Sequence, residues 1–225
     1  MTGVQTCALP IYKKYQNPVT TILAANGDLQ IHLRARCSTE AEAEALLAEV
    51  TAPIAALLGD RLYSSTGDPL EVLVGSLLRS QAATVAVAES CTGGMLGARF
   101  TSTPGSSDYF LGGFITYSDR LKTDLLGVSP ETLREFGAVS PQTAEAMAIG
   151  ARARTGSTYA LAVTGIAGPA GGSEQKPVGL VYVAVADAAG ALVVNRHFLG
   201  DRQRICVFTT QMALDLLRRR ITGLA

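Results

Sequence analysis

TVAVAESCTGG, residues Thr84 to Gly94, is a short β-rich run that passes through a polar, glycine-closed turn into a helix opening at Gly93–Phe100. A strand feeding a helix through a tight turn is the unit from which α/β proteins are built. Working outward, Leu70–Gln81 has a helical pattern, Ser102–Asp108 reads as a loop, and Phe114–Tyr117 as a strand. Helices follow around Ser118–Leu126 and Pro141–Arg154, then strands at Tyr159–Val163 and Gly179–Ala186, the latter paired with Ala191–Phe198 as a hairpin. Asp201 is placed to cap a last helix whose apolar positions Ile205, Phe208, Met212 and Leu216 share one face. The alternation predicts an α/β fold: a three-layer mixed sheet with helices on both faces.

Upstream, Thr20–Ala25 and Asp28–Arg36 flank Asn26-Gly27, the pair that a two-residue type I′ hairpin turn favours. Thr39 with Glu42 forms a capping box for a helix over Ala41–Leu58, and Gly59 is placed to end it. A small β-β-α unit over residues 12–64 therefore precedes the main domain, residues 65–225, with Ser64–Pro69 (SSTGDP) as the linker. Met1–Ile11 lacks periodicity, changes character abruptly before Tyr12, and over Val4–Ile11 matches the translation of a common sequencing adapter. These eleven residues read as an assembly artefact and carry no fold argument. A true N-terminal part of the protein is then expected to be missing.

Nineteen basic residues balance nineteen acidic ones, so any anion must be held locally rather than by a global field. Direct nucleic-acid binding gains no support from this balance. The longest apolar run, Val178–Ala186, falls well short of the roughly 20 residues that span a membrane. Four cysteines without CxxC spacing fit reduced cytoplasmic thiols, and two distant histidines, His32 and His197, give no metal site. No metal or redox cofactor is expected, and the chain is expected in the cytoplasm.

In open α/β sheets, ligands bind beyond the carboxyl ends of the strands. Ser90, Thr92, Gly93 and Gly94 follow the first main-domain strand, where hydroxyls and a helix N-terminus can meet an anion. The same residues also suit an ordinary strand-to-helix turn. Thr164-Gly165-Ile166-Ala167-Gly168-Pro169-Ala170-Gly171-Gly172, followed by Lys176, is either flexible filler or a backbone nest for phosphate. A third polar stretch contains Ser106-Ser107, Tyr117-Ser118 and Lys122. Without a suitable histidine, a serine nucleophile needs Lys or Tyr as its base, and Lys serves only when its pKa falls by about 2–3 units. Against this stands the reading of Tyr117 as a strand end and Lys122 as a solvated helix residue. Cys91, near a helix N-terminus that would lower its pKa, is a weaker candidate nucleophile with no histidine in reach.

Several motifs, in order, resemble the CinA C-terminal domain family. They are AESCTGG (88–94), GSS…GGFITYS (105–107 and 112–118), GAVS (137–140), VTGIAGPAGG…KPVG (163–172 and 176–179) and QMALDLLRRR (211–220). The resemblance implies an amidohydrolase that converts nicotinamide mononucleotide to nicotinate mononucleotide and ammonia in pyridine nucleotide recycling. It implies Ser107 as nucleophile, with Tyr117 and Lys122 as acid/base partners, and Ser90 and Thr164 as pocket groups for substrate or oxyanion. Gly165, Gly168, Gly171, Gly172 and Lys176 would hold the 5′-phosphate, with Thr92 and Gly93 in the same substrate site. A homo-oligomer is expected. TTILAANGDLQIHLRAR (20–36) resembles the connecting region of longer family members, which carry a molybdopterin-cofactor-binding-like domain linked to ADP-ribose pyrophosphatase activity. Neither that activity nor its metal is carried over. Two other readings compete: a non-catalytic interaction module tied to competence or DNA damage, and a serine amidase for another amide.

Overall fold

The computed structural model describes residues 11, 13–25 and 27–225, which divide into two compact units at Asp68/Pro69. In the first unit, β1 (Val19–Ala25) and β2 (Asp28–Arg34) pair antiparallel with Ala25 opposite Asp28. Gly27 takes φ +86°, the left-handed conformation such a tight turn needs, while Asn26 lies outside the described residues. Helix α1 (Glu40–Leu58) opens on the expected capping box: Thr39 Oγ1 accepts from the Glu42 amide at 3.3 Å and Glu42 Oε2 from the Thr39 amide at 3.1 Å. Its buried stripe of Val50, Ile54 and Leu58 packs on Ile31 and Leu33 of β2.

The second unit contains α2 (Leu70–Ser80), β3 (Val85–Glu89), α3 (Met95–Thr101), β4 (Phe110–Ile115), α4 (Asp119–Leu126), α5 (Pro130–Phe136), α6 (Pro141–Thr155), β5 (Tyr159–Gly165), β6 (Leu180–Asp187), β7 (Gly190–His197) and α7 (Arg202–Ile221). Its five strands run in the order β4-β3-β5-β6-β7. Strand β3 is parallel to both β4 and β5, whereas β5–β6 and β6–β7 are antiparallel, so the sheet is mixed. Helix α6 covers one face, and α7 with α2 and α3 covers the other. This is the expected three-layer arrangement, and no helix among the described residues is long and apolar enough to cross a membrane.

Side-chain alternation explains the layers. Ala88, Ala160, Ala162, Ala184 and Ala186 meet Ala144, Met147, Ala148 and Ala151 of α6, a seam of small residues that lets helix and sheet approach closely. The alternate positions Val85, Val87, Leu161, Val163, Val181, Val183 and Val185 are also buried and point to the other face.

Three elements depart from expectation. The strand predicted at Phe114–Tyr117 is β4, which runs from Phe110 to Ile115; the expectation started late because Gly112-Gly113 reads as a strand breaker. In the fold, any side chain at Gly113 would collide with Val87 of the neighbouring strand, so this glycine belongs inside the sheet. Helix α5 was not expected, although Ser129 caps it and Pro130 occupies its first turn. The buried face of α7 also turns from the expected stripe: Phe208 and Met212 are half-buried while Thr209, Ala213, Leu214 and Leu217 are buried.

Gly150 of α6 lies against the end of α4, where an added Cβ would collide with the Leu126 carbonyl. Gly150→Ala is expected to destabilise the domain by about 1–3 kcal/mol, read as a lower urea midpoint at unchanged m-value.

Candidate active site

Strand β3 lies between β4 and β5, its parallel neighbours: the chain leaves β3 toward β4 and later crosses back over to β5. A cleft of about 250 Å³ opens beyond the carboxyl ends of these three strands. Ser90 and Cys91 enter it from β3, Tyr117 and Lys122 from beyond β4, and Thr164, Gly165, Gly168 and Gly171 from β5 and its loop.

Lys122 is the central group. Ser118 caps α4 by accepting from the Leu121 amide at 3.3 Å, and a helical side chain leans toward its own N-terminus. The Lys122 amine therefore reaches back to the end of β4, where it is 1% exposed. There it donates to the Thr116 carbonyl at 2.9 Å and the Tyr117 carbonyl at 3.3 Å, and lies 3.2 Å from Ser90 Oγ. Burial pulls its pKa below the ordinary lysine value; exposed Asp119, 3.8 Å away, opposes this only weakly. Once neutral, the amine has two N–H groups for the two carbonyls and one lone pair left for the Ser90 hydroxyl.

Ser107 stands elsewhere. It is exposed in the 3-10 turn Ser106–Asp108, before β4, so the six residues of that strand separate it from Tyr117. At about 3.3 Å per residue this is about 20 Å of extended chain, and the expected Ser107–Lys122 pair is not made within the chain. The Tyr117 hydroxyl likewise faces Arg202 Nη2, at 3.0 Å, and only the Tyr117 carbonyl meets Lys122.

The remaining candidates divide between cleft and scaffold. Thr164 lines the cleft but donates its hydroxyl to the Ala138 carbonyl at 2.7 Å, so its hydrogen is unavailable to an oxyanion. Thr92 and Gly93 are outside the cleft lining, and the helix N-terminus near them already holds the Glu89 carboxylate. Lys176 also lies outside it, bound to the Phe136 carbonyl at 2.6 Å, where it closes α5. Gly165 is required by packing: a Cβ there would sit 2.6 Å from Val181 Cγ1. Gly168 takes φ +77°, and its carbonyl accepts from Arg202 Nη1 at 2.9 Å. Gly172 packs the loop on itself against Val178 rather than facing the cleft.

Arg202 is the cleft residue that sequence reasoning missed. The β6–β7 hairpin returns the chain to the carboxyl end of β3, so the first residue of α7 arrives at the cleft mouth. A cation directly after the Asp201 cap was the available signal.

Cys91 loses its candidacy as a nucleophile. Burial pushes its thiol up to about 12, and Glu89 already occupies the helix end expected to lower it.

The family model of the CinA C-terminal domain matches residues 67–221. The chain belongs to the CinA C-terminal domain family. A CinA-like protein from Solibacter usitatus is 71% identical over 95% of this chain and 51% of its own length. A CinA-like protein from Koribacter versatilis is 48% identical over 94% of the chain and 51% of its own length. The chain thus spans about half the length of these CinA relatives. Among solved CinA-family structures, the competence/damage inducible protein CihA from Agrobacterium tumefaciens superposes with TM-score 0.66 at 42% identity. That match covers 68% of this chain and 93% of the other. A CinA superfamily protein from Klebsiella pneumoniae gives TM-score 0.67 at 29% identity, covering 68% and 96% of the two chains.

Iodoacetamide applied to the native protein at pH 7.5 should alkylate exposed Cys37 and spare buried Cys91 and Cys206, as read by peptide mass spectrometry. Equal alkylation of Cys91 before unfolding would contradict the thiol assignment.

Proposed function

We propose that the chain is an amidohydrolase that hydrolyses the carboxamide of nicotinamide mononucleotide to the carboxylate and ammonia. The observation that carries this reading is the Lys122 amine, buried, fixed by two carbonyls and aimed at a serine hydroxyl 3.2 Å away. A Ser–Lys pair of this kind activates a nucleophile without histidine. Ser90 takes the nucleophile's role that the family resemblance gave to Ser107.

In the forward step, the Ser90 hydroxyl proton passes to Lys122 Nζ as Oγ bonds to the carboxamide carbon. Lys122 then returns the proton to the nitrogen, and the C–N bond breaks to release ammonia. A water molecule, deprotonated by the same amine, hydrolyses the ester, and Ser90 is reprotonated. With the Thr164 hydroxyl engaged, oxyanion stabilisation falls to backbone N–H groups around the cleft. Arg202, the guanidinium at the mouth, suits the 5′-phosphate better than Lys176, which is tied to α5.

Ammonia release from nicotinamide mononucleotide tests the reading. Ser90→Ala and Lys122→Ala should each lose at least ~10³-fold in kcat, while Ser107→Ala keeps the wild-type rate. Wild-type rates in the first two variants would sink the mechanism, and heat of binding without ammonia from the native chain would make it a binding module. The rate should rise with pH through an apparent pKa below the ordinary lysine value of 10.5, because only the neutral amine accepts the serine proton. A pH–rate profile that falls over this range would contradict a lysine base.

A further inference from the structure

Glu89 is the last residue of β3, 1% exposed, and takes no part in the chemistry above. Its Oε2 accepts from the Thr92 hydroxyl at 2.6 Å and from the backbone amides of Gly94 at 3.0 Å and Leu96 at 3.1 Å. Its Oε1 accepts from the Gly97 amide at 2.8 Å. Burying a carboxylate is costly unless its oxygens are bonded, and here four donors meet it, three of them from the positive end of α3.

This arrangement differs from four other helix starts of the same unit. Helices α4, α5, α6 and α7 are capped by the residue immediately before them: Ser118, Ser129, Ser140 and Asp201. At α3 the cap residue is Gly94, which offers no side chain, and the carboxylate comes from the strand instead. The bonds run from position 89 to positions 92–97 and so close a ring around Ser90 and Cys91. Within that ring, the Ser90 amide donates to the Val163 carbonyl at 3.0 Å, and the Ser90 carbonyl accepts from Gly93 at 3.2 Å.

We propose that Glu89 is a positioning residue for the nucleophile: its carboxylate locks the strand-to-helix turn in the one arrangement that presents Ser90 Oγ to Lys122. The inference rests on the amidohydrolase reading of Ser90. A local cap on α3 would stabilise the helix equally well, but it would not tie the end of β3 across Ser90 to the helix, leaving the turn held only by its two backbone bonds. Displacements near 1 Å at a reacting atom cost up to about 10²-fold in rate.

The test compares wild type with Glu89→Gln and with Thr92→Val, which keeps the carboxylate but removes one donor. Two quantities are measured on protein shown to be folded by circular dichroism. One is steady-state ammonia release. The other is covalent labelling of Ser90 by a fluorophosphonate, in which Oγ bonds to phosphorus, fluoride leaves and Lys122 takes the proton. Glu89→Gln is expected to lower kcat and the labelling rate together by about 10–10²-fold with KM unchanged, and Thr92→Val to do so less. Folded Glu89→Gln that labels and turns over at wild-type rates overturns the proposal, as does a loss that merely follows the unfolded fraction. Should Glu89→Gln not fold, Thr92→Val decides on the same two quantities. A wild-type chain that releases no ammonia yet labels in a Glu89-dependent way removes the amidohydrolase reading and keeps the positioning role. Wild-type Ser90 that resists labelling overturns the positioning role itself.

Discussion

The site turns on one buried amine. A lysine removed from water must either lose its proton or satisfy all three donors, and Lys122 sits where the chain allows both. The carbonyls of Thr116 and Tyr117 become available because β4 ends at Ile115 and its ladder with β3 stops there. The Ser118 cap then sets the start of α4, so that the fourth helical residue leans back over the strand end. Strand length, cap and lysine position are one constraint stated three ways. A shift of any by one residue would move the amine off the serine.

That constraint places demands on the sheet behind it. The cleft needs β3, β4 and β5 to end near one level, and the parallel registers Glu89↔Ile115 and Glu89↔Val163 deliver this, β5 running on only to Gly165. Alanines on the α6 face and valines on the other pack the helices tightly against the sheet and so hold these ends in place. The antiparallel return through β6 and β7 adds no parallel pairing, yet it carries the start of α7 back to the cleft. Residues 90, 117, 164 and 202, scattered over half the chain, meet for this reason.

The fold was legible because hydrophobic periodicity is local. TVAVA, the Asn-Gly turn, the Thr39/Glu42 box and the Asp201 cap each act within a few residues, and each appears where its pattern lies, Asn26 apart. Failures came where a residue's role depends on a distant neighbour. Gly113 breaks a strand by propensity, but its role is set by Val87, 26 residues earlier on the adjoining strand. The same holds in the cleft. Lys122 was found from its chemistry, whereas its serine partner depends on which end of β4 faces the amine, a fact of topology that spacing does not encode. Thr164 and Lys176 looked free in sequence and are engaged by backbone carbonyls, Ala138 just beyond α5 and Phe136 at its last residue.

Arg202 joins two walls of the cleft through the Gly168 carbonyl and the Tyr117 hydroxyl, both of them neutral acceptors. An oxyanion arriving at the rim offers the guanidinium bonds about twice as strong as those, so it can draw Arg202 away from its tethers. An uncharged visitor of the same size offers nothing better and leaves the span in place. The rim thus carries a cation whose present partners are weaker acceptors than an oxyanion would be. If the chain is the amidohydrolase proposed above, selection among amides begins at this rim, before any of them reaches Ser90 and Lys122.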